Sequence, residues 1–210
     1  MTTLDRQVLH CALSAACDAT RDADTHTTSA HEMDLLNEQW AQSYVGLGLN
    51  DLFRRRYQDD EGGFVTFETS VRWLDGYLPD HGRPGPRPGS LSDRQRFDII
   101  AWSKGGSVAG IVELKDTPVM SRYAEASDPA KLCGALRRWP SVRWSMFLFS
   151  IRSAKHKQGE IAADLLKKRD GAFQRIRATV GEFWRICGSQ TVAARGSRVM
   201  WGGVIFRKSS

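Results

Sequence analysis

The 210 residues fit one domain, with room for modest additions, and suffice to bury a real core. Hydrophobic residues at 41% and charged residues at 26% match ordinary globular usage and exclude a disordered chain. A net charge of +6 favours an anionic partner such as nucleic acid, while the longest apolar runs, such as Met146 to Phe149, are far too short to span a bilayer.

The cysteines Cys11, Cys17, Cys133 and Cys187 form no CxxC pair, and the histidines form no HxH or HExxH pattern, which argues against zinc. With no secretory leader in view, these cysteines read as reduced thiols, and a cytoplasmic location is expected. Residues 3–18 place Leu4, Val8, Leu9, Ala12, Leu13 and Ala16 at helical spacing. The polar stretch Thr20 to Thr28 reads as a linker, so 1–28 is expected as an N-terminal helix and linker and 29–210 as the main domain. Ser29 and Glu32 have the capping-box spacing. The helix they open carries Met33, Leu36, Trp40, Tyr44 and Leu47 on one side, breaks near Gly46 and Gly48, and continues towards Arg56. On that wheel Glu32 lies at the edge of the apolar stripe and Glu38 on the far side.

Phe64 to Leu74 alternates Val65, Phe67, Thr69, Val71 and Trp73 against polar neighbours, which predicts a strand. Residues 79–90, rich in proline and glycine, predict an irregular loop. Strands over Arg96–Trp102 and Ser107–Lys115 follow, joined by a two-residue turn at Gly105-Gly106. Asp128-Pro129 predicts a helix start, and Pro140 its stop. Val142 to Ile151 predicts a hydrophobic strand, 159–186 a long helix, and 190–194 with 198–206 a closing hairpin. The succession predicts an α/β domain with its sheet covered by helices.

The hairpin carries the chemistry. With Gly105 and Gly106 as the loop, Asp98 falls directly opposite Glu113, on one face, with Cβ atoms roughly 4.5–5.5 Å apart. Like charges so placed destabilise a sheet, and a divalent cation between them removes the penalty. Lys115, two residues on from Glu113, shares that face, whereas Val112 and Leu114 point away. Two carboxylates and a lysine suit metal-assisted phosphodiester hydrolysis. Hard oxygen ligands hold Mg²⁺, with Mn²⁺ as a substitute, and the lysine orients water or offsets charge at the phosphate.

The segment Arg96-Phe-Asp98-Ile-Ile … Ile-Val-Glu113-Leu-Lys115 resembles the PD-(D/E)xK nuclease superfamily, with Phe97 where the name-giving proline would stand. The resemblance covers roughly Ser29 to Ile151. It implies a restriction-endonuclease-like mixed β-sheet core, with 159–206 added as a C-terminal helix and hairpin. It further implies Mg²⁺-dependent cleavage of DNA, less often RNA. Asp98 and Glu113 would ligate metal together with the Leu114 backbone carbonyl, and Lys115 would serve the attacking water. Members often add a glutamate from the leading helix, for which Glu32 is the nearest match. Glu68 on the first predicted strand is another candidate.

Arg96, Lys131, Arg137, Arg138, Lys155 and Lys157 are the candidate phosphate contacts, weighed against solvated helix ends. Trp139 and Trp144 are the candidates for stacking on a base. A homodimer that cuts two strands and an accessory protein are compatible partners. Two other readings compete: a catalytically silent nuclease-like scaffold that binds nucleic acid or a protein, and a glycosidase using two carboxylates. The lysine beside Glu113 and the basic charge speak against the glycosidase.

Overall fold

The computed structural model describes residues 3–26, 30–56, 63–78, 86–103, 105–115, 122–155, 157–180, 184–193 and 198–208. Within these, side chains are described except at 24–26, 30–37, 56, 122–126, 158 and 184–193. The side chains of Glu32, Met33, Leu36 and Cys187 therefore lie outside what is described.

Alternation along the strands sorts side chains onto two faces, and each face recruits its own helices. The strands are β1 (Val65–Ser70), β2 (Arg96–Trp102), β3 (Val108–Lys115), β4 (Trp144–Arg152), β5 (Trp184–Ala193) and β6 (Val199–Lys208). Among the described residues they form one sheet in the order β1-β2-β3-β4-β6-β5. The β3–β4 pair is parallel and every other pair antiparallel, so the sheet is mixed. A parallel neighbour needs a crossover, and α4 (Arg122–Arg138) supplies it. Residues Trp144 to Ile151 of β4 are all buried, as expected of a central strand covered on both sides.

One face packs under α3 (Val71–Tyr77), α4 and α5 (Gln158–Val180), in a core that includes Ile100, Ile111, Leu136, Trp139, Phe147 and Phe149. The other packs under α1 (Thr3–His26) and α2 (Ala30–Arg56) and holds Ile99, Val112, Leu114, Met146 and Trp201. Adjacent Ile111 and Val112 thus enter opposite cores. No helix among the described residues is long and apolar enough to cross a membrane.

Several elements depart from the sequence expectation. The supposed linker continues α1 to His26, because small residues Ala19 and Ala23 are buried there. Thr20 faces inward too: its hydroxyl donates to the Ala16 carbonyl at 3.0 Å and accepts from Trp201 Nε1 at 2.9 Å. The strand predicted to run to Leu74 stops at Ser70, whose hydroxyl accepts from the Trp73 N–H at 3.2 Å and caps α3. α4 begins at Arg122, so Pro129 sits inside it rather than at its start. α5 ends at Val180, and residues from Trp184 join a strand.

The α2 stripe is rotated from the expected one. Ala41, Val45, Leu49 and Phe53 are buried, whereas Trp40 and Leu47 are exposed. The helix runs through Gly46 and Gly48 without a break.

The hairpin tip also differs. Ser103 N–H bonds the Ser107 carbonyl at 2.8 Å, and Gly106 N–H bonds the Ser103 carbonyl at 3.1 Å, so the loop holds three residues, not two. Gly105 and Gly106 take φ of +96° and +76°, a region open to glycine. A bulge between Ala101 and Trp102 absorbs the extra residue, opposite Ala109. Past it the register is Ala101↔Gly110, Ile100↔Ile111 and Ile99↔Val112.

Candidate active site

Continued one residue, that register sets Asp98 opposite Glu113. On the other side, the pairs Phe67↔Ile99 and Thr69↔Phe97 bracket Glu68 opposite Asp98. Three acids therefore occupy one row across three adjacent strands. Glu68 holds the row at a backbone cost, with φ of +50°, a left-handed conformation that a side chain with a Cβ disfavours.

Each acid has a distinct environment. The Asp98 carboxylate accepts from the Leu114 N–H at 2.6 Å. Burial raises the Asp98 pKa from 3.8 to about 6. The Leu114 hydrogen bond and Lys131 oppose the rise, while Glu38 and Glu68 add to it. Glu113 is 4% exposed. Burial first, and the neighbouring Asp98 second, push its pKa well up, against the pull of Lys131. The Lys131 ammonium lies 2.7 Å from Glu113 Oε1 and forms an ion pair with it. Lys131 also donates to the Arg96 carbonyl at 2.8 Å and sits over the Phe97 ring at 5.1 Å.

Two residues of α2 close the site. Gln42 Nε2 donates to Glu68 Oε1 at 3.0 Å and to the Asp98 carbonyl at 2.8 Å, tying helix to row. One turn earlier, Glu38 Oε2 lies 3.5 Å from Lys115 Nζ. Burial would lower the Lys115 pKa, but Glu38, Asp128 and Asp98 outweigh it and hold the ammonium charged.

The structure thus brings Asp98, Glu113, Glu68 and Lys115 to one end of β1–β3. The leading-helix acid beside them is Glu38, correcting its assignment to the far side; Glu32 lies outside the described side chains. The reason is the rotated stripe, since Glu38 shares its face with Ala41, Gln42 and Val45. Gln42 was missed altogether, although its place between Ala41 and Val45 on a buried stripe was the signal.

Lys131 is corrected as a phosphate contact, being 7% exposed and committed to Glu113 and Arg96. Arg138 is held by Asp75, through Nε to Oδ1 at 3.1 Å. Arg96, Arg137, Lys155 and Lys157 are exposed. Trp139 and Trp144 are buried and present no face to a base, which corrects that assignment. Cys11, Cys17 and Cys133 take part in no disulfide among the described residues.

Among the described residues no group of three or more His, Cys, Asp and Glu side chains forms a metal-binding cluster. The oxygen donors here are two carboxylates and strand carbonyls, a set that suits Mg²⁺, which binds through one or two carboxylates and keeps several waters. The buried Glu113 carboxylate is a hard oxygen ligand of the right kind, with the Lys131 ammonium already 2.7 Å from its Oε1. The class defined so far is an α/β protein with a mixed sheet and an acid row at one sheet end. Comparison with protein-family models, with curated proteins and with solved structures finds no match.

Proposed function

We propose that the protein is a metal-dependent nuclease that hydrolyses phosphodiester bonds of DNA, with RNA as the alternative polymer, in the manner of the PD-(D/E)xK superfamily and its restriction-endonuclease-like core. The observation that carries this reading is the row of Asp98 and Glu113 with Lys115 beside it. A buried carboxylate, Glu113, and a half-buried one, Asp98, both with raised pKa values, stand next to each other, and a divalent cation is the partner that relieves both. Asp98, Glu113 and the Leu114 carbonyl would hold Mg²⁺, which supplies phosphate polarisation and a more acidic water.

The protein's own groups do the rest. The Leu114 N–H fixes the Asp98 carboxylate on the side of β3. Gln42 anchors the Asp98 backbone and the Glu68 carboxylate to α2. Lys115 stays protonated because acids surround it. A charged ammonium at this place attracts a phosphate and stabilises negative charge developing on it. The exposed cations and the net charge of +6 assist a polyanion's approach.

A labelled DNA duplex, a single strand, an RNA and an oligosaccharide, each with Mg²⁺ or EDTA, provide the test. Wild type cuts a nucleic acid only with metal, and Asp98→Asn or Lys115→Ala loses that activity while remaining folded. Undiminished cutting by either variant refutes the assignment. The second reading, a silent scaffold, is favoured by the Lys131–Glu113 ion pair, which neutralises that acid without a metal. Titration calorimetry with Mn²⁺ separates the two, since a silent scaffold takes up no metal at this row.

A further inference from the structure

Beside the acid row, the outer surface of β1 and α3 carries aromatic rings that the catalytic reading does not use. Trp73 and Tyr77, one helical turn apart on α3, stack at 4.5 Å with an interplanar angle of 12°. Both meet Trp102 edge-on, at 5.8 and 5.5 Å, and Phe64 stacks on Trp102 at 5.7 Å. Trp102 is buried, but Trp73 is 47% exposed, Tyr77 53% and Phe64 49%. The buried ring is a rigid floor that holds the exposed ones in fixed orientations. Large aromatic surface left in water at a defined angle costs free energy, and a binding role accounts for it.

Two open grooves run along this surface. One, of about 520 Å³, is lined by Ser70, Arg72, Trp73, Gly76 and Tyr77. The other, of about 310 Å³, is lined by Thr66, Glu68, Thr69, Ser70 and Trp73. Each is larger than the roughly 150 Å³ cavity that takes up a benzene ring. They share Ser70 and Trp73 and so adjoin, and the second reaches Glu68, the first acid of the row. Arg72 supplies a cation in the lining, and exposed Arg96 is the register partner of Ser70.

We infer that these grooves form a stacking platform for unpaired bases of a single-stranded nucleic acid, which leads the strand from Tyr77 past Trp73 to the acid row. The inference rests on the nuclease reading and names its substrate class. A duplex hides the faces of its bases, so aromatic rings gain little from it. A single strand offers a π-face at every base and phosphates to the arginines, which is the pairing this surface provides. A protein partner is the competing occupant of an aromatic patch. The arginines and the junction with the acid row favour the strand.

The test is binding in EDTA, so that cleavage plays no part, with fluorescein-labelled mixed-sequence 20-mers, single-stranded and duplex, read by anisotropy at fixed salt. Wild type binds the single strand at least tenfold more tightly than the duplex. Trp73→Ala weakens single-strand binding roughly five- to 150-fold, the loss of stacking on about one base. Trp73→Phe retains most of it, and neither change alters duplex binding. Arg72→Ala weakens single-strand binding and lowers its salt dependence. Equal or tighter duplex binding, an unaffected Trp73→Ala, or no nucleic-acid binding at all overturns the inference. Selective binding without any cutting in Mg²⁺ refutes the nuclease reading alone. Cutting with no single-strand preference refutes the platform alone.

Discussion

Replacing Asp98 by Asn probes the acid row without needing a substrate. Asparagine keeps an oxygen for the Leu114 N–H, so the change removes charge and little else. Raising a carboxyl pKa from 3.8 to about 6 corresponds to about 3 kcal/mol of free energy, at 1.36 kcal/mol for each tenfold change in acidity. Between these values the folded protein holds a proton that the unfolded chain has released, so stability falls as pH rises through this window and stays low above it. In EDTA, Asp98→Asn should therefore be more stable than wild type by about 3 kcal/mol at pH 8, with the gain fading to nothing near pH 4. Taking the difference between the two proteins cancels the titrating groups that Asp98 does not perturb, leaving Glu113 and Lys115, whose raised pKa values Asp98 helps to maintain. Urea unfolding at pH 4, 6 and 8 measures it. Mn²⁺ at a hundred times its Kd should return about 2.7 kcal/mol to wild type and nothing to the variant. A difference that does not change with pH, or a variant less stable at pH 8, refutes the account of a desolvated carboxylate.

Lys131→Met leaves Glu113 buried beside Asp98 without its cation, and about 3–5 kcal/mol should be lost at pH 8 and far less near pH 5, where the acid takes a proton. Adding Glu113→Gln should restore most of that loss in the same urea series. Asp75 accepts from Arg87 Nη2 at 2.6 Å, Arg138 Nε at 3.1 Å and the buried Trp139 Nε1 at 3.0 Å. Asp75→Ala should cost about 2–4 kcal/mol at neutral pH. Burial pushes the Asp75 carboxyl up, but Arg138 and Arg87 outweigh it and hold the pKa below 3.8, so this contribution is present above that pH and disappears as acid protonates the group. A Cβ at Gly110 would lie 2.2 Å from the Trp144 ring, which is buried and cannot swing aside. Gly110→Ala should lower stability by about 1–3 kcal/mol or more, with Trp144 fluorescence altered.

Local periodicity made much of this fold legible. β2, β3 and β4 are short, apolar and bounded by turn residues, and their alternation assigned Val112 and Leu114 to one core. It failed where a polar side chain outranked periodicity. Ser70 ends β1 by capping α3, although Val71 and Trp73 continue the two-residue pattern. Proline misled in the opposite direction, because Pro129 is tolerated inside α4. At the site, Asp98, Glu113 and Lys115 were visible because a hairpin relates them in sequence. Gln42, Glu38 and Lys131 were not, because their roles depend on how α2 and α4 are rotated against the sheet, which side-chain packing from distant strands decides. The expected register at Asp98 was reached from a wrong turn: the extra loop residue and the bulge at Ala101/Trp102 offset one another.

That offset bears on which insertions and deletions the protein tolerates. A two-residue loop with a regular ladder and a three-residue loop with a bulge deliver the same partners from Ala101↔Gly110 inward, so the hairpin tip is insulated from the acids it serves. Length changes between Ser103 and Ser107 leave both carboxylates on their shared side, and a reporter inserted there should not disturb them. One residue added between Gly110 and Glu113 turns Glu113 to the opposite side of the sheet, against Leu148 and Met146 in place of Lys131.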